Sequence, residues 1–578
     1  MRRRTHNLFS RAVLLAMGIA LLWAVSEKAA AQLPAQVSWE SLTRRAGEFY
    51  KEGNLEAAIV AAQQALERAE QAFHPEHAAV ATSLNNLALL QKSAGQYEKA
   101  EPLFERATAI YEKVLGPDHA ELAGALSNLA GLYAQTERGG LAERLYRRAL
   151  AIWEKALGPE HPDVATALNN LATLLQEQGR AGEALPLFAR ALRINESRWG
   201  PEHPATALSL ENLASAYASQ GDATRARPLL ERALSIHEKT LGPEHPAVAA
   251  GLVRLAELLD AEKESNKAAA LYRRAVAIYE GASGGVSLEA AAAMGSLAEM
   301  YRRRGEPALA EPLLEKSAAL RERLLGSEHP LVAATWNDLA ALYTASGEFH
   351  KAEPLLQRAL AASEKQQDSG AANVIYGLNN LAELYLRQGQ YAEAAPLLER
   401  SLQLAESPGN ATALPATLSK LAEVRRFQGQ EEEAIRLLER ALAALEDLPG
   451  SESAPQAAIL DRLTELAFVQ GDAVRAESLA ARALAVRERE LGTEHPGLLT
   501  NLTNLAVLRQ SLRNYGGAEV LLRRVLSIAE KSSGPDSGQT AAALEKLAEL
   551  HQAMGNRTVA AALAARARKI RAAFSEGP

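Results

Sequence analysis

The chain has 578 residues; 48% are hydrophobic but only 5% aromatic, so the apolar mass is mainly Ala and Leu. Strong helix formers at that density, with few aromatic residues to fill a sheet, indicate an all-α protein. The absence of cysteine excludes disulfides, thiolate metal sites, cysteine nucleophiles and a lipoprotein anchor, and a net charge of −7 disfavours sequence-independent nucleic-acid binding.

The first element read along the chain is a secretory signal at residues 1–31. Arg2 to Arg4 form a basic start, Ala12 to Val25 an uncharged and almost wholly apolar core, and Ala29-Ala30-Ala31 a small-residue cleavage site before Gln32. An uncleaved anchor is the alternative, although that core is shorter than the roughly twenty residues a membrane span requires. The signal carries a net +4, which leaves −11 for residues 32–578 (−7 less +4), further from nucleic acid or anionic lipid. The expected location is periplasmic or secreted, in a bacterial setting, with no membrane span after signal removal.

From there a single pattern repeats. A leucine, nearly always followed by alanine, recurs every 42 residues at Leu87, Leu129, Leu171, Leu213, Leu255, Leu297, Leu339 and Leu381. After a two-residue deletion it resumes at Leu421, Leu463, Leu505 and Leu547. With a degenerate copy around Ala46 to Ala65 this makes about 13 units, regular over 32–280 and more divergent over 281–578.

Each unit predicts two helices. In the first, Leu126, Leu129, Ala130 and Tyr133 share one face, as do Leu168, Leu171, Ala172 and Leu175. A glycine such as Gly95 or Gly179 closes it. The second helix repeats Ala, large apolar, Ala, as in Ala100, Phe104, Ala107. Prolines within it, Pro102, Pro186, Pro228, Pro312, Pro354 and Pro396, predict a late start or a bend. The linker to the next unit reads Leu-Gly-Pro-Glu-His-Pro or nearly so at 115–120, 157–162, 241–246, 325–330 and 491–496. Linkers rich in Gly, Ser or Pro at 281–287, 366–373, 407–415 and 448–455 are the expected soft points.

The motifs Leu168-Asn169-Asn170-Leu171-Ala172, Gly179, Ala184-Leu185-Pro186-Leu187-Phe188, Ala191 and 157–162 resemble the tetratricopeptide repeat, in the 42-residue variety of kinesin light chains. The resemblance covers essentially the whole chain after the signal. It implies a right-handed superhelical solenoid of helix-turn-helix units that binds protein or peptide partners. The likeness is to the repeat rather than to the motor subunit, whose amino-terminal coiled coil has no counterpart here.

Little points to catalysis. Seven histidines, His77, His119, His161, His203, His245, His329 and His495, occupy one slot of the repeat. Stacked repeats hold equivalent positions too far apart for one zinc ion, so a local role at a helix start is the better reading. There is no reproducible Ser-His-acid set and no phosphate loop, so neither enzyme activity nor a cofactor or metal is expected.

The informative position precedes the repeating leucine: Asn86, Asn128, Asn170 and Asn212, then mainly other residues. The resemblance places this position on the concave surface, where asparagine holds a bound peptide backbone; local bonding between helices is the competing reading. Three residues on stand Leu89, Gly131, Thr173 and Ser215, which leave the amides free. In contrast, Arg254–Glu257, Lys420–Glu423, Arg462–Glu465 and Lys546–Glu549 predict self-satisfied pairs within one helix. A peptide-binding scaffold using those four asparagines follows, with a structural spacer or self-associating envelope protein as the alternative.

Overall fold

The structure, a computed structural model, describes residues 38–575 except Ser283, Gly285, 366–369, Pro408 and 449–452. The signal at 1–31 lies outside the described residues, as do parts of all four degenerate linkers. Among the described residues are 26 α-helices, from α1 (Trp39–Lys51) and α2 (Leu55–Ala72) to α25 (Gly538–Ala553) and α26 (Arg557–Ser575), two 3-10 turns and no strand. The chain divides into two compact units at Met300/Tyr301. Within each unit the helices follow one another as helix pairs.

In the first unit the second to sixth pairs are α3 (Ala78–Ser93) and α4 (Tyr97–Leu115), α5 (Ala120–Gln135) and α6 (Gly139–Leu157), α7 (Pro162–Glu177) and α8 (Ala181–Trp199), α9 (Pro204–Ser219) and α10 (Ala223–Leu241), and α11 (Pro246–Ala261) and α12 (Ser265–Ala282). The period-3.6 leucines and alanines of each first helix are buried against the Ala–large–Ala stripe of the second. Phe104 and Phe188 are fully enclosed between small residues of their neighbours. Each large side chain so buried contributes roughly 1.5–3 kcal/mol.

The turn between paired helices requires one residue in the left-handed region. Gly95 and Gly179 take it at φ 75° and 79°. Where glycine is missing, Glu137, Lys263 and Arg513 adopt the same conformation at φ 60°, 65° and 59°, so the fold imposes the turn even on residues that resist it.

The prolines do not delay the second helices as expected. Helices α4 and α8 begin five residues ahead of Pro102 and Pro186. Each proline is exposed, and the carbonyl it leaves unbonded lies in the first turn, where water reaches it.

The histidine slot is a helix cap. In all seven cases the ring Nδ1 accepts a hydrogen bond from the backbone N–H two residues on, as from Ala79 to His77 at 3.1 Å and from Glu121 to His119 at 3.3 Å. Behind His161, His203, His245 and His329 a proline opens the helix, where a missing N–H costs nothing.

Consecutive second helices are joined by ion pairs 36 residues apart: Arg148–Glu112 and Arg190–Glu154 at 2.5 Å, Arg232–Glu196 at 2.6 Å and Arg274–Glu238 at 2.7 Å. The second unit repeats them in Arg358–Glu322 at 2.8 Å and Arg400–Glu364 at 2.5 Å. Arg190, Arg232 and Arg274 also donate to the linker carbonyls of Pro159, Pro201 and Pro243. First helices touch directly, α3 with α5, α5 with α7 and α7 with α9. That contact makes them the inner row of the stack.

Candidate functional site

The least buried strip of each first helix in the first unit runs through the position before the repeating leucine. On α5 it comprises Glu121, Gly124, Asn128, Gly131 and Gln135; on α7, Asp163, Thr166, Asn170, Thr173 and Glu177. Helical spacing of three and four sets these residues on one face, and packing of first helix on first helix aligns the strips. The four asparagines therefore form a row along the inner face.

Their amides are engaged unequally. Asn128 donates through Nδ2 to Oδ1 of Asn85 at 3.0 Å, and Asn170 donates to the Ser127 hydroxyl at 3.4 Å. Both bonds cross from one first helix to the preceding one, so local bonding between helices holds for these two. In Asn86 and Asn212, Nδ2 is buried without a hydrogen-bond partner, and so are the neighbouring Thr43 Oγ1 and Asn169 Oδ1. Buried amides left this way are costly, about 1–3 kcal/mol each. The crossing rung thus closes at Asn128 and Asn170 and stays open at Asn86 and Asn212.

The floor beside the row is low. At Gly131 an added Cβ would stand 2.7 Å from Lys92 Nζ and 3.2 Å from the Tyr146 hydroxyl, so a larger residue would have to displace the lysine tip. Ser215 accepts from Gln176 at 3.2 Å and is otherwise exposed. Burial pushes the Asp163 carboxyl above its ordinary value, with nearby His161 opposing.

The cation–acid pairs depart from expectation in three of four cases. Arg254 binds Glu211 on α9 rather than pairing within its own helix, and His237 Nε2 on α10 approaches the same carboxylate at 3.3 Å. Burial alone would raise the Glu211 carboxyl; Arg254 and His237 outweigh it and hold it below the usual range. In the second unit Lys420 of α19 (Leu414–Phe427) binds Glu383 of α17 (Gly370–Arg387). Arg462 of α21 (Ser453–Val469) binds Glu423 at 3.0 Å. Only Lys546–Glu549, at 2.8 Å, stays within one helix. First helices lie side by side, so a long cation reaches the preceding helix and ties the two together. These pairs are joints between repeats.

Sequence reasoning missed a second feature of this face. In the second unit the strip exposes Tyr376, Phe427, Val469 and Val507, beside a shallow hollow between α19 and α21 lined by Ala422, Arg426, Leu438 and Leu466. The 42-residue alignment that singled out the asparagines contains these positions, but local spacing does not tell which apolar residues the neighbouring helix leaves uncovered. Among the described residues no cluster of His, Asp or Glu could hold a metal ion, and no helix is long and apolar enough to cross a membrane.

The repeat geometry agrees with sequence comparison. The tetratricopeptide-repeat profile matches residues 40–113, 121–197, 198–281, 289–365, 373–447, 455–531 and 500–573. The chain belongs to the tetratricopeptide-repeat family. This membership suggests a protein-interaction scaffold.

Similar solved structures include two of nearly identical TPR-like repeats, titled as kinesin light chain, from Podosopora anserina. One is 27% identical, covers 35% of this chain and 95% of that chain, and has a TM-score of 0.32; the other is 33% identical over 36% and 100%, also at 0.32. BtubC (BKLC) from P. vanneervenii is 28% identical over 40% of this chain and 94% of that one, with a TM-score of 0.36. No curated protein sequence matches.

Proposed function

We propose that the chain is an exported, non-catalytic scaffold, periplasmic or secreted, that holds extended protein segments along the asparagine row of its first unit. The observation that carries this reading is the row of half-buried asparagines Asn128, Asn170 and Asn212, beside a floor of Gly131, Thr173 and Ser215. An asparagine amide offers both donors and an acceptor, which suits it to an extended backbone of any sequence. A partner backbone laid along the row would meet the exposed edges of Asn128, Asn170 and Asn212, and the small floor residues leave it room to approach. Export rests on the basic start, apolar core and small-residue site within residues 1–31.

The test begins with affinity capture by the full chain from its native envelope, with partners identified by mass spectrometry. Affinity for the captured partner is then compared with that of a variant carrying Asn86→Ala, Asn128→Ala, Asn170→Ala and Asn212→Ala. Each lost hydrogen bond is worth about 0.5–1.5 kcal/mol, so the variant should bind at least roughly tenfold more weakly. A variant that keeps its helicity and binds as tightly as the parent sinks the reading.

A further inference from the structure

The histidine caps impose a chemical condition. To accept a backbone N–H, Nδ1 must carry no proton, so each capping imidazole must be neutral with its hydrogen on Nε2. The bonds run from Ala79, Glu121, Asp163, Ala205, Ala247, Leu331 and Gly497 to the seven rings, at 3.1–3.3 Å. A proton on Nδ1 turns the acceptor into a donor facing another donor. It also places a cation at a helix N-terminus, where the aligned peptide dipoles already present positive charge. Both effects act against the joint.

The charges around each ring decide how strongly. An acidic residue precedes every one of the seven and would by itself favour the imidazolium. In five linkers that carboxylate is already held by a lysine from the second helix of the repeat that follows. Glu76 binds Lys113 at 2.6 Å, Asp118 binds Lys155, Glu202 binds Lys239 at 2.5 Å, Glu328 binds Lys365 at 2.5 Å, and Glu494 binds Lys531 at 2.7 Å. Further cations face some of these linkers. Arg232 and Arg524 donate to the carbonyls of Pro201 and Thr493, and Arg321 stands near His329. Burial, and after it Arg321, push the His329 imidazole below its ordinary value.

On the apolar side, Phe73 stacks on His77 and Trp199 on His203, at 4.5 and 5.2 Å between centroids. His74 also lies near Glu76.

The remaining two linkers differ. Position 197 is serine and 281 is glycine where the others have lysine, so neither Glu160 nor Glu244 has a lysine at that place. Arg190 and Arg274 reach only the carbonyls of Pro159 and Pro243 in those linkers. His161 Nδ1 also lies 3.5 Å from the Asp163 carboxylate, which would receive its imidazolium.

We propose that the five lysine-backed linkers at His77, His119, His203, His329 and His495 are a distributed pH-sensitive device. Above the imidazole range each bare Nδ1 caps the next repeat; proton binding releases the cap and loosens that joint. Folding then opposes proton binding at each cap, as it does at His329, whose imidazole burial and Arg321 push below its ordinary value, so this part of the stability is lost as pH falls. Two histidines outside the caps face carboxylates instead, His237 beside Glu211 at 3.3 Å and His551 beside Glu519 at 3.7 Å, where a proton would add an ion pair.

The test uses the full chain and melting followed by circular dichroism between pH 7.5 and 5.5, above most carboxylate titration. The parent should lose about 5 °C or more in its first melting step over that window. A variant with those five histidines replaced by Asn, a cap that does not titrate, should lose less than half as much. In the intact parent at pH 7.5, imidazole nitrogen NMR should show the hydrogen of these five rings on Nε2. A parent whose melting does not fall, an Asn variant that falls equally, or rings protonated on Nδ1 at pH 7.5 would each overturn the proposal. The NMR result decides alone if the variant does not fold.

Discussion

The inner faces of the two units are built from the same helix positions and solve different problems. Between α3 and α9 the position before the repeating leucine is asparagine, the floor is small, and two buried amides lack partners. Between α17 and α21 the same position carries Asn380, Lys420 and Arg462, bonded to Asn337, Glu383 and Glu423 of the preceding first helices. There the polar groups are spent on joining repeats, and what faces outward is Tyr376, Phe427 and Val469. One register can therefore hold either unspent hydrogen-bonding capacity or apolar surface, depending on whether its polar residues are consumed by the neighbouring helix.

The residue that sharpens this contrast most is Arg254, where the asparagine row ends in a charged joint. Arg254→Ala should leave Glu211 buried beside His237 alone and cost about 3 kcal/mol. Hydrogen exchange in α9–α12 should become more than a hundredfold faster at pH 7. Because Arg254 and His237 together hold the Glu211 carboxyl below its usual value, their support is present above about pH 4.5 and fades as pH falls through the depressed value. The gap between variant and parent should accordingly narrow in acid. An equal gap at pH 7 and pH 4 would show that the joint is not electrostatic.

A smaller difference separates joints from pairs within a helix. Lys420→Ala removes a half-buried tie between first helices and should cost about 1 kcal/mol, whereas Lys546→Ala removes an exposed pair within α25 worth about 0.3 kcal/mol. Denaturation curves for the two variants that coincide would erase the distinction.

The smallest effect tests the row itself. Asn128→Ala loses the bond to Asn85 and should cost about 1 kcal/mol, while Asn212→Ala loses no bond to protein, removes a buried unpaired amide and should not destabilise. A large loss in Asn212→Ala would make that amide structural.

Repeat length, helix pairing and the turn glycines were legible in the sequence because they rest on local periodicity and backbone conformation. The buried faces of Leu126–Tyr133 and Leu168–Leu175 lie as the spacing requires. What escaped were contacts between repeats. Arg254 and Glu257 stand three apart in sequence, but Glu211, 43 residues earlier, is the partner, since side-by-side helices bring distant residues within reach. The cap role of the histidines was visible only as a position near a helix start. Their acceptor geometry depends on the linker path set by Gly116 and Gly158, at φ 93° and 91°.

The arginine–glutamate pairs of the second helices bear on how such a chain changes length. Where two residues are missing before Leu421, the pair re-forms as Arg440–Glu406, 34 residues apart instead of 36, at 2.5 Å. The shortening was absorbed in the linker, and the two charges still met. Each repeat so joined therefore presents an outgoing glutamate and an incoming arginine. Excision or duplication of one whole 42-residue unit joins a matched acid to a matched base at the new seam, so unequal recombination among the repeats yields longer or shorter chains whose junctions are already chemically compatible.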